Sequence, residues 1–234
     1  MRFNVLQEIR LGLLHLFYPS LCEGCGKTLL VSEKVLCLNC ALQLPLTNYH
    51  HLPDNETATR FAGRVPFEYA TSFGYFTNEG LLQHLLHGLK YKNKQEIGLF
   101  LGELFAVSLL GIDWVKTLDY IIPVPLHHKK EASRGFNQSK LLADGMGKVL
   151  KIPVNCLVLQ RTRHTESQTK KSRTERLKNM DGAFSLCQPE LLKDKHVFLL
   201  DDVLTTGATL ESCALTLSQI EGIKISIATI GIVS

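Results

Sequence analysis

Asp201 and Asp202 stand side by side, and Thr205, Thr206, Gly207, Ala208 and Thr209 follow within seven residues in the stretch VFLLDDVLTTGATL. The apolar residues before the acids read as a buried strand, and a helix is expected from about Ala208. The first backbone N–H groups of a helix have no partner inside it and favour an anion. Gly207 allows a positive φ and a close backbone approach, and the threonine hydroxyls add donors. The two carboxylates are unsuited to phosphate, because like charges repel. They suit hydrogen bonds from two neighbouring sugar hydroxyls, or help in holding Mg²⁺. Taken together, these types at this spacing describe a cradle for a phosphorylated sugar. Taken alone, the Thr-Gly stretch is also compatible with a plain strand–turn–helix capped by threonine. No lysine follows Gly207, so a Walker-type phosphate loop does not fit, and GMGKVL at 145–150 has Leu150 where a dinucleotide loop needs its last glycine.

A second constellation is Cys22-x-x-Cys25 and Cys37-x-x-Cys40, two knuckles separated by eleven residues. Four thiolates at this spacing suit a closed tetrahedral Zn²⁺ site of structural type. So short a stretch cannot build a core alone, and metal binding would supply its folding free energy. Unliganded thiols, redox pairs or an iron–sulfur cluster are the other readings. The scattered Cys156, Cys187 and Cys213 are expected as small buried hydrophobes.

Basic residues come next. Arg134 and Gly135 precede a helix start that Asn137 can cap, and arginine matches phosphate oxygens in a bidentate way. A capped surface helix with a solvated arginine is the plainer alternative. Residues 161–178 hold seven Lys and Arg, including Arg173 and Arg176, against Glu166 and Glu175. Such a run is a solvated loop, a lid over an anionic ligand, or a strip that contacts DNA. His127 and His128 are expected as exposed loop residues, the rarer alternative being a phosphate contact or an acid role. His84 and His87 lie three apart on a helix with no third ligand, so no metal is expected there. Lys90, Tyr91 and Lys92 are candidates for the border of an acceptor pocket.

These residues must be positioned by something. Strands are expected at 66–76, 118–126, 156–160, 196–203 and 223–233, and helices at 78–94 (capped by Asn78), 95–112, 137–150 and 208–221. Short apolar strands alternating with helices imply an α/β fold with a parallel sheet. Residues 1–45 read as a short amphipathic helix (Leu6, Ile9, Leu13, Leu16, Phe17) plus the cysteine module, 46–65 as a linker or irregular connection without periodicity, and 66–234 as the main domain.

The bulk numbers agree with a globular protein: 234 residues, 45% hydrophobic and 21% charged. The net charge of +4 permits, without requiring, a polyphosphate or nucleic-acid ligand. No apolar run is long enough to span a membrane. Glu8 and Arg10 interrupt the only stretch resembling a signal peptide, so the cytoplasm is the expected compartment.

VFLLDDVLTTGATL resembles the phosphoribosyl pyrophosphate (PRPP) loop of type I phosphoribosyltransferases. With PVPLHHKKEASRGFNQSKLLA at 123–143, QTKKSRTERLKNMDGAF at 168–184 and the cysteine knuckles, nearly the whole chain is similar to the ComF family, the ComFC-like proteins linked to natural competence. The resemblance implies a type I phosphoribosyltransferase-like sheet flanked by helices, with a small N-terminal four-cysteine zinc module. It implies that Asp201 and Asp202 hold the ribose hydroxyls and favour the cationic ring in catalysis. Thr205, Thr206, Gly207, Ala208 and Thr209 would hold the 5-phosphate, Lys130 and Arg134 the pyrophosphate side, and Arg173 and Arg176 a closing loop. Mg²⁺ would arrive with PRPP, and the transfer would be to an acceptor that the residues do not name. A non-catalytic PRPP sensor, or a module binding single-stranded DNA or competence proteins, is the alternative, with Phe61, Phe67, Tyr69, Phe73, Tyr75 and Phe76 as stacking candidates.

Overall fold

The computed structural model describes residues 19–162 and 182–233. The chain divides into two compact units, Met1–Leu44 and Pro45–Ser234. The expected helix over residues 1–17 and the basic residues Arg173 and Arg176 lie outside the described residues.

In the first unit, Leu21 bridges Thr28 in antiparallel fashion and a short helix, α1 (Leu38–Leu42), starts within the second knuckle and carries Cys40. Among its described residues the buried ones are Cys22, Leu29, Val35, Leu36, Cys40 and Leu44.

The second unit is built on a four-stranded sheet with β1 (Ala70–Tyr75), β2 (Tyr120–Pro123), β5 (His196–Leu204) and β6 (Lys224–Ile232) in the order β1-β6-β5-β2. Every pairing is parallel. The strands read as continuous apolar runs because helices cover both faces: β6 is buried at each residue after Lys224, and β5 from His196 to Leu200. Their carboxyl ends share one edge of the sheet, where open α/β sheets bind ligands. The expected α/β class is therefore present.

Helices α3 (Leu81–Tyr91), α4 (Gln95–Leu109), α6 (Gln138–Leu150) and α7 (Ala208–Leu217) surround the sheet. α4 and α6 approach closely at glycines: a Cβ at Gly102 would overlap the Leu142 carbonyl oxygen, and one at Gly145 the Leu99 carbonyl oxygen. Gly145 thus serves helix packing rather than a nucleotide loop. Gly102→Ala would gain about 1 kcal/mol of helix propensity, but the overlap is with backbone and forces the helices apart. We expect a net loss of about 2 kcal/mol in urea unfolding; unchanged or raised stability would show that the two helices are free to separate.

Five expectations are corrected. Residues 46–65 are not a loose linker: they hold a 3₁₀ turn (Tyr49–His51) and α2 (Glu56–Phe61), with Phe61 fully buried. Asn55 fixes this segment, its side chain accepting from Ala58 N at 3.0 Å and donating to the Leu52 and Ala70 carbonyls at 2.7 and 2.8 Å. The strand expected at 156–160 does not join the parallel sheet. It forms a short antiparallel ribbon, β3 (Leu159–Arg161) with β4 (Phe184–Leu186). Gly80, not Asn78, precedes α3. His127 is 3% exposed rather than a surface residue, and a short helix, α5 (His128–Arg134), follows it. Cys156 and Cys187 are also exposed, against expectation, whereas Cys213 is buried. Among the described residues no helix is long and apolar enough to cross a membrane.

Candidate functional site

Asp201 and Asp202 are the sixth and seventh residues of β5. β2 accompanies that strand only to the Pro123–Leu200 pair, where Val124 N donates to Leu200 O at 2.8 Å before the chain departs. The opposite edge of β5 stays paired with β6 as far as Leu204. The start of α6 occupies the place β2 vacates. Asn137 caps it, Oδ1 accepting from Ser139 N and Nδ2 donating to Val124 O, both at 3.0 Å. That cap aims the Ser139 hydroxyl at Asp201, to whose Oδ1 it donates at 2.9 Å, alongside Asp202 N at 2.9 Å.

Successive side chains of a strand point to opposite sides, so Asp202 meets a different partner. Lys90, in the last turn of α3, places Nζ 2.7 Å from Asp202 Oδ2. Burial alone would lower the Lys90 pKa, but the adjacent Asp202 carboxylate, with help from Asp201, outweighs it and raises the pKa. Asp201 is pushed up to about 7, first by burial and then by the negative charge of Asp202; the N–H of Asp202, the Ser139 hydroxyl and Lys90 oppose the rise. The two acids therefore differ: one is neutralised by an ammonium, the other sits near its midpoint at physiological pH.

The turn after β5 has the expected form. Gly207 takes φ 79° immediately before α7, and the Phe61 ring lies 3.2 Å from where a Cβ would stand. A side chain there would be strained in the backbone and crowded against the ring. Arg60 ties this loop down, Nη1 donating to Thr205 O and Nη2 to Val233 O, each at 2.9 Å, with Glu56 as its ion partner at 2.7 Å. Arg64 pairs with Glu211 in the first turn of α7. Thr205 is exposed, and Thr206 and Thr209 are half-buried. The start of α7 is thus held while its hydroxyls remain reachable.

Arg134 closes α5, and its guanidinium carbon lies 5.8 Å from the centroid of the Tyr91 ring. Lys130 lies within α5, of which only its backbone is described. The structure therefore brings Asp201, Asp202 and the Gly207 turn onto one strand end, and links Arg134 to the end of α3 that carries Lys90. Sequence reasoning missed Ser139, Arg60 and the Lys90–Asp202 pair. For Arg60 a signal existed: Asn55 followed by Glu56 and Arg60 four residues on is a helix-start pattern.

The four cysteines of the first unit form a separate site. Their sulfurs all lie within 4.8 Å of one another, and Cys25 Sγ is 3.8 Å from Cys37 Sγ. Tetrahedral Zn–S bonds of about 2.3 Å require sulfur separations of roughly 3.8 Å, so the cluster fits that ion. Cys22 Sγ accepts from Gly24 N at 3.4 Å and Cys37 N at 3.3 Å, the N–H contacts that orient metal thiolates. Burial pushes the Cys22 thiol up, but these backbone donors outweigh it and bring it down to about 6. Cys40 is pushed up to about 12 by burial and by the neighbouring sulfurs. Four thiolates this close repel one another without a cation, and the cluster can hold a metal ion.

The class so defined is a parallel α/β domain with an acidic strand tip beside a glycine-led helix start, preceded by a four-cysteine module. No model of a protein family matches the chain. Among curated proteins, it is 31% identical over 212 residues to DNA utilization protein YhgH of Escherichia coli O157:H7, covering 89% of this chain and 87% of that one. It is 28% identical over 213 residues to competence protein F of Haemophilus influenzae, covering 89% of each. A shorter match, 34% over 94 residues, is to competence protein ComFC of Bacillus subtilis, with 40% of this chain and 36% of that one covered. The chain belongs to the ComF family, that of competence protein F and DNA utilization protein YhgH. Among solved structures, adenine phosphoribosyltransferase from Leishmania tarentolae aligns over 76% of this chain and 88% of its own, with 12% identity and a TM-score of 0.38. A purine phosphoribosyltransferase from Pyrococcus horikoshii covers 58% and 81%, with 17% identity and a TM-score of 0.35. These structural likenesses are too slight to bear on function.

Proposed function

We propose that the second unit binds PRPP at the carboxyl end of β5 and transfers its phosphoribosyl group, with Mg²⁺, to an acceptor during DNA uptake or use. The observation that carries this reading is the placement of two adjacent carboxylates at an opened strand end, next to a helix start led by a positive-φ glycine. Asp201 and Asp202 would accept hydrogen bonds from the two ribose hydroxyls. The N–H groups and hydroxyls of Thr205 to Thr209 would hold the 5-phosphate. Lys130 and Arg134, with Arg173 and Arg176, would meet the pyrophosphate. Magnesium bound with the substrate's phosphates would lower the cost of charge on the leaving group. The transition state is cationic on the ring and anionic on the departing pyrophosphate, so carboxylates beside the ring and arginines toward the pyrophosphate would favour it. The relatives' names, competence and DNA utilization, support the setting in DNA uptake. Zinc is the metal we propose for the four cysteines, in a structural role.

A second reading is a non-catalytic module that engages single-stranded DNA. It is favoured by an aromatic pair away from the strand tip: Tyr69, 39% exposed, stacks on Trp114 with ring centroids 4.8 Å apart. One assay separates the two. Protein incubated with Mg²⁺ and PRPP should release pyrophosphate when a competent acceptor base is added. Retained PRPP with no release over a full base panel would favour the sensor or DNA-binding reading.

A further inference from the structure

The turn from Thr205 to Thr209 contains no lysine or arginine. Its cations come from a distant part of the chain. Arg60, in α2, donates from Nη1 to Thr205 O and from Nη2 to Val233 O, each at 2.9 Å. Arg64, four residues on, pairs with Glu211 in the first turn of α7 and donates from Nη1 to Arg60 O at 2.6 Å. One guanidinium thus stands at the entry of the turn, and the other neutralises the acid in the helix that follows it.

A trans peptide is planar, with its C=O and N–H pointing in opposite directions. Because Arg60 holds Thr205 O, it also sets the direction of the Thr206 N–H in the same peptide unit. A cation on the carbonyl polarises that unit and strengthens its N–H as a donor. Arg60 is itself held. Its Nη2 lies 2.7 Å from Glu56 Oε1, Glu56 Oε2 accepts from the Tyr49 hydroxyl at 3.4 Å, and that hydroxyl lies 3.1 Å from the one on Tyr75, the last residue of β1. Asn55 anchors the start of α2 to the Ala70 carbonyl at 2.8 Å, and Phe61, next to Arg60, packs against Gly207. The Arg60 side chain is 33% exposed, a braced group rather than a freely solvated one. A turn held this way has less freedom to lose when an anion binds.

We propose that Arg60 is the positioning residue of this turn: by holding Thr205 O it presets the turn's donors for a phosphate monoester, and so governs affinity for the 5-phosphate end of the ligand and not for its pyrophosphate end. The proposal rests on the PRPP reading argued above. Arg60 acts through the backbone of the turn rather than by contact with the ligand, and Glu56 acts through Arg60.

The test is isothermal titration of the full chain with ribose 5-phosphate, inorganic pyrophosphate and PRPP with Mg²⁺ as separate titrants, for the parent, Arg60→Ala, Arg60→Lys and Glu56→Gln. Thermal melting confirms that each variant folds, and Arg60→Lys with Glu56→Gln carries the test if Arg60→Ala does not. Ribose 5-phosphate and PRPP are expected to bind about tenfold or more weakly in Arg60→Ala, with pyrophosphate within about twofold of the parent. Lysine keeps the charge but lacks the planar fork that spans two carbonyls, so Arg60→Lys should still lose about threefold toward ribose 5-phosphate, and Glu56→Gln a similar amount. Unchanged ribose 5-phosphate affinity in the Arg60 variants, or equal losses for ribose 5-phosphate and pyrophosphate, overturns the positioning role and leaves PRPP binding standing. Full affinity in Arg60→Lys alone shows that charge suffices and overturns it too. A parent that binds neither PRPP nor ribose 5-phosphate overturns the PRPP reading and this assignment with it.

Discussion

The double variant Asp201→Asn with Asp202→Asn should bind PRPP at least about 100-fold more weakly than the parent and remain folded. Each carboxylate is proposed to accept a hydroxyl donor, and a hydrogen bond to a charged group is worth about 1.5–3 kcal/mol, so two give a loss on the order of 100-fold or more. Folding should survive, because the substitutions act in opposite senses. Asp202→Asn leaves Lys90 without its 2.7 Å partner, which costs stability. Asp201→Asn removes a carboxyl that burial holds near its midpoint, which relieves a cost. That second effect has a pH signature. The pKa of Asp201 is raised in the folded state to about 7, from about 3.9 in the unfolded chain. Protonated Asp201 therefore favours the fold, and its contribution is fully present below about pH 4 and lost as pH rises through about 7. Asp201→Asn alone should remove this part of the pH dependence in thermal melts between those values. PRPP affinity in the parent should fall as pH drops below about 7, because the protonated acid is a poorer acceptor. Isothermal titration across that range reads the affinity, and an affinity independent of pH would contradict the assigned role of Asp201.

Loss of the zinc proposed for the four cysteines is expected to be the second large effect. Among its described residues, the first unit buries only a handful of apolar side chains besides its cysteines. A core that small does not offset chain entropy unaided, whereas a structural Zn²⁺ contributes about 10–16 kcal/mol at neutral pH. Purified protein is expected to carry one equivalent of zinc by elemental analysis. Cys22→Ser and Cys40→Ser should each lose most of it, and the first unit should become open to trypsin at Lys27 and Lys34. The serine hydroxyl is a far poorer ligand for Zn²⁺ than a thiolate. Undiminished metal in Cys40→Ser, or unchanged protease resistance after chelation, would remove the structural role from this site.

The parts of the molecule legible in the sequence were those written in local pattern. The apolar run ahead of Asp201, the Gly207 turn, the Asn137 cap and the cysteine spacing each depend on residues close together in the chain, and each is present at its expected place. The parts that were not legible depend on distant partners. Nothing near Lys90 announces an ion pair with Asp202, since the two meet only when α3 reaches the carboxyl end of β5. Ser139 reads as an ordinary first-turn residue until the departure of β2 sets it against Asp201. Residues 46–65 look like a linker because their order comes from side chains rather than periodicity. Asn55 gathers carbonyls from two places, and a buried hydroxyl chain runs from Thr57 through Ser72 to Thr229 in 2.7 Å steps. The antiparallel ribbon escaped because three residues a strand carry too little alternation to distinguish a side ribbon from a core strand.

The claim on which the rest depends is that an activated pentose phosphate seats between the β5 carboxylates and the first turn of α7. Isothermal titration of the full-length protein with PRPP in the presence of Mg²⁺ addresses it most directly, with ribose 5-phosphate and inorganic pyrophosphate as separate titrants. Saturable binding of one PRPP per chain is predicted, tighter than either fragment and abolished in the double asparagine variant. No binding of PRPP, or binding that the double variant retains in full, would contradict it.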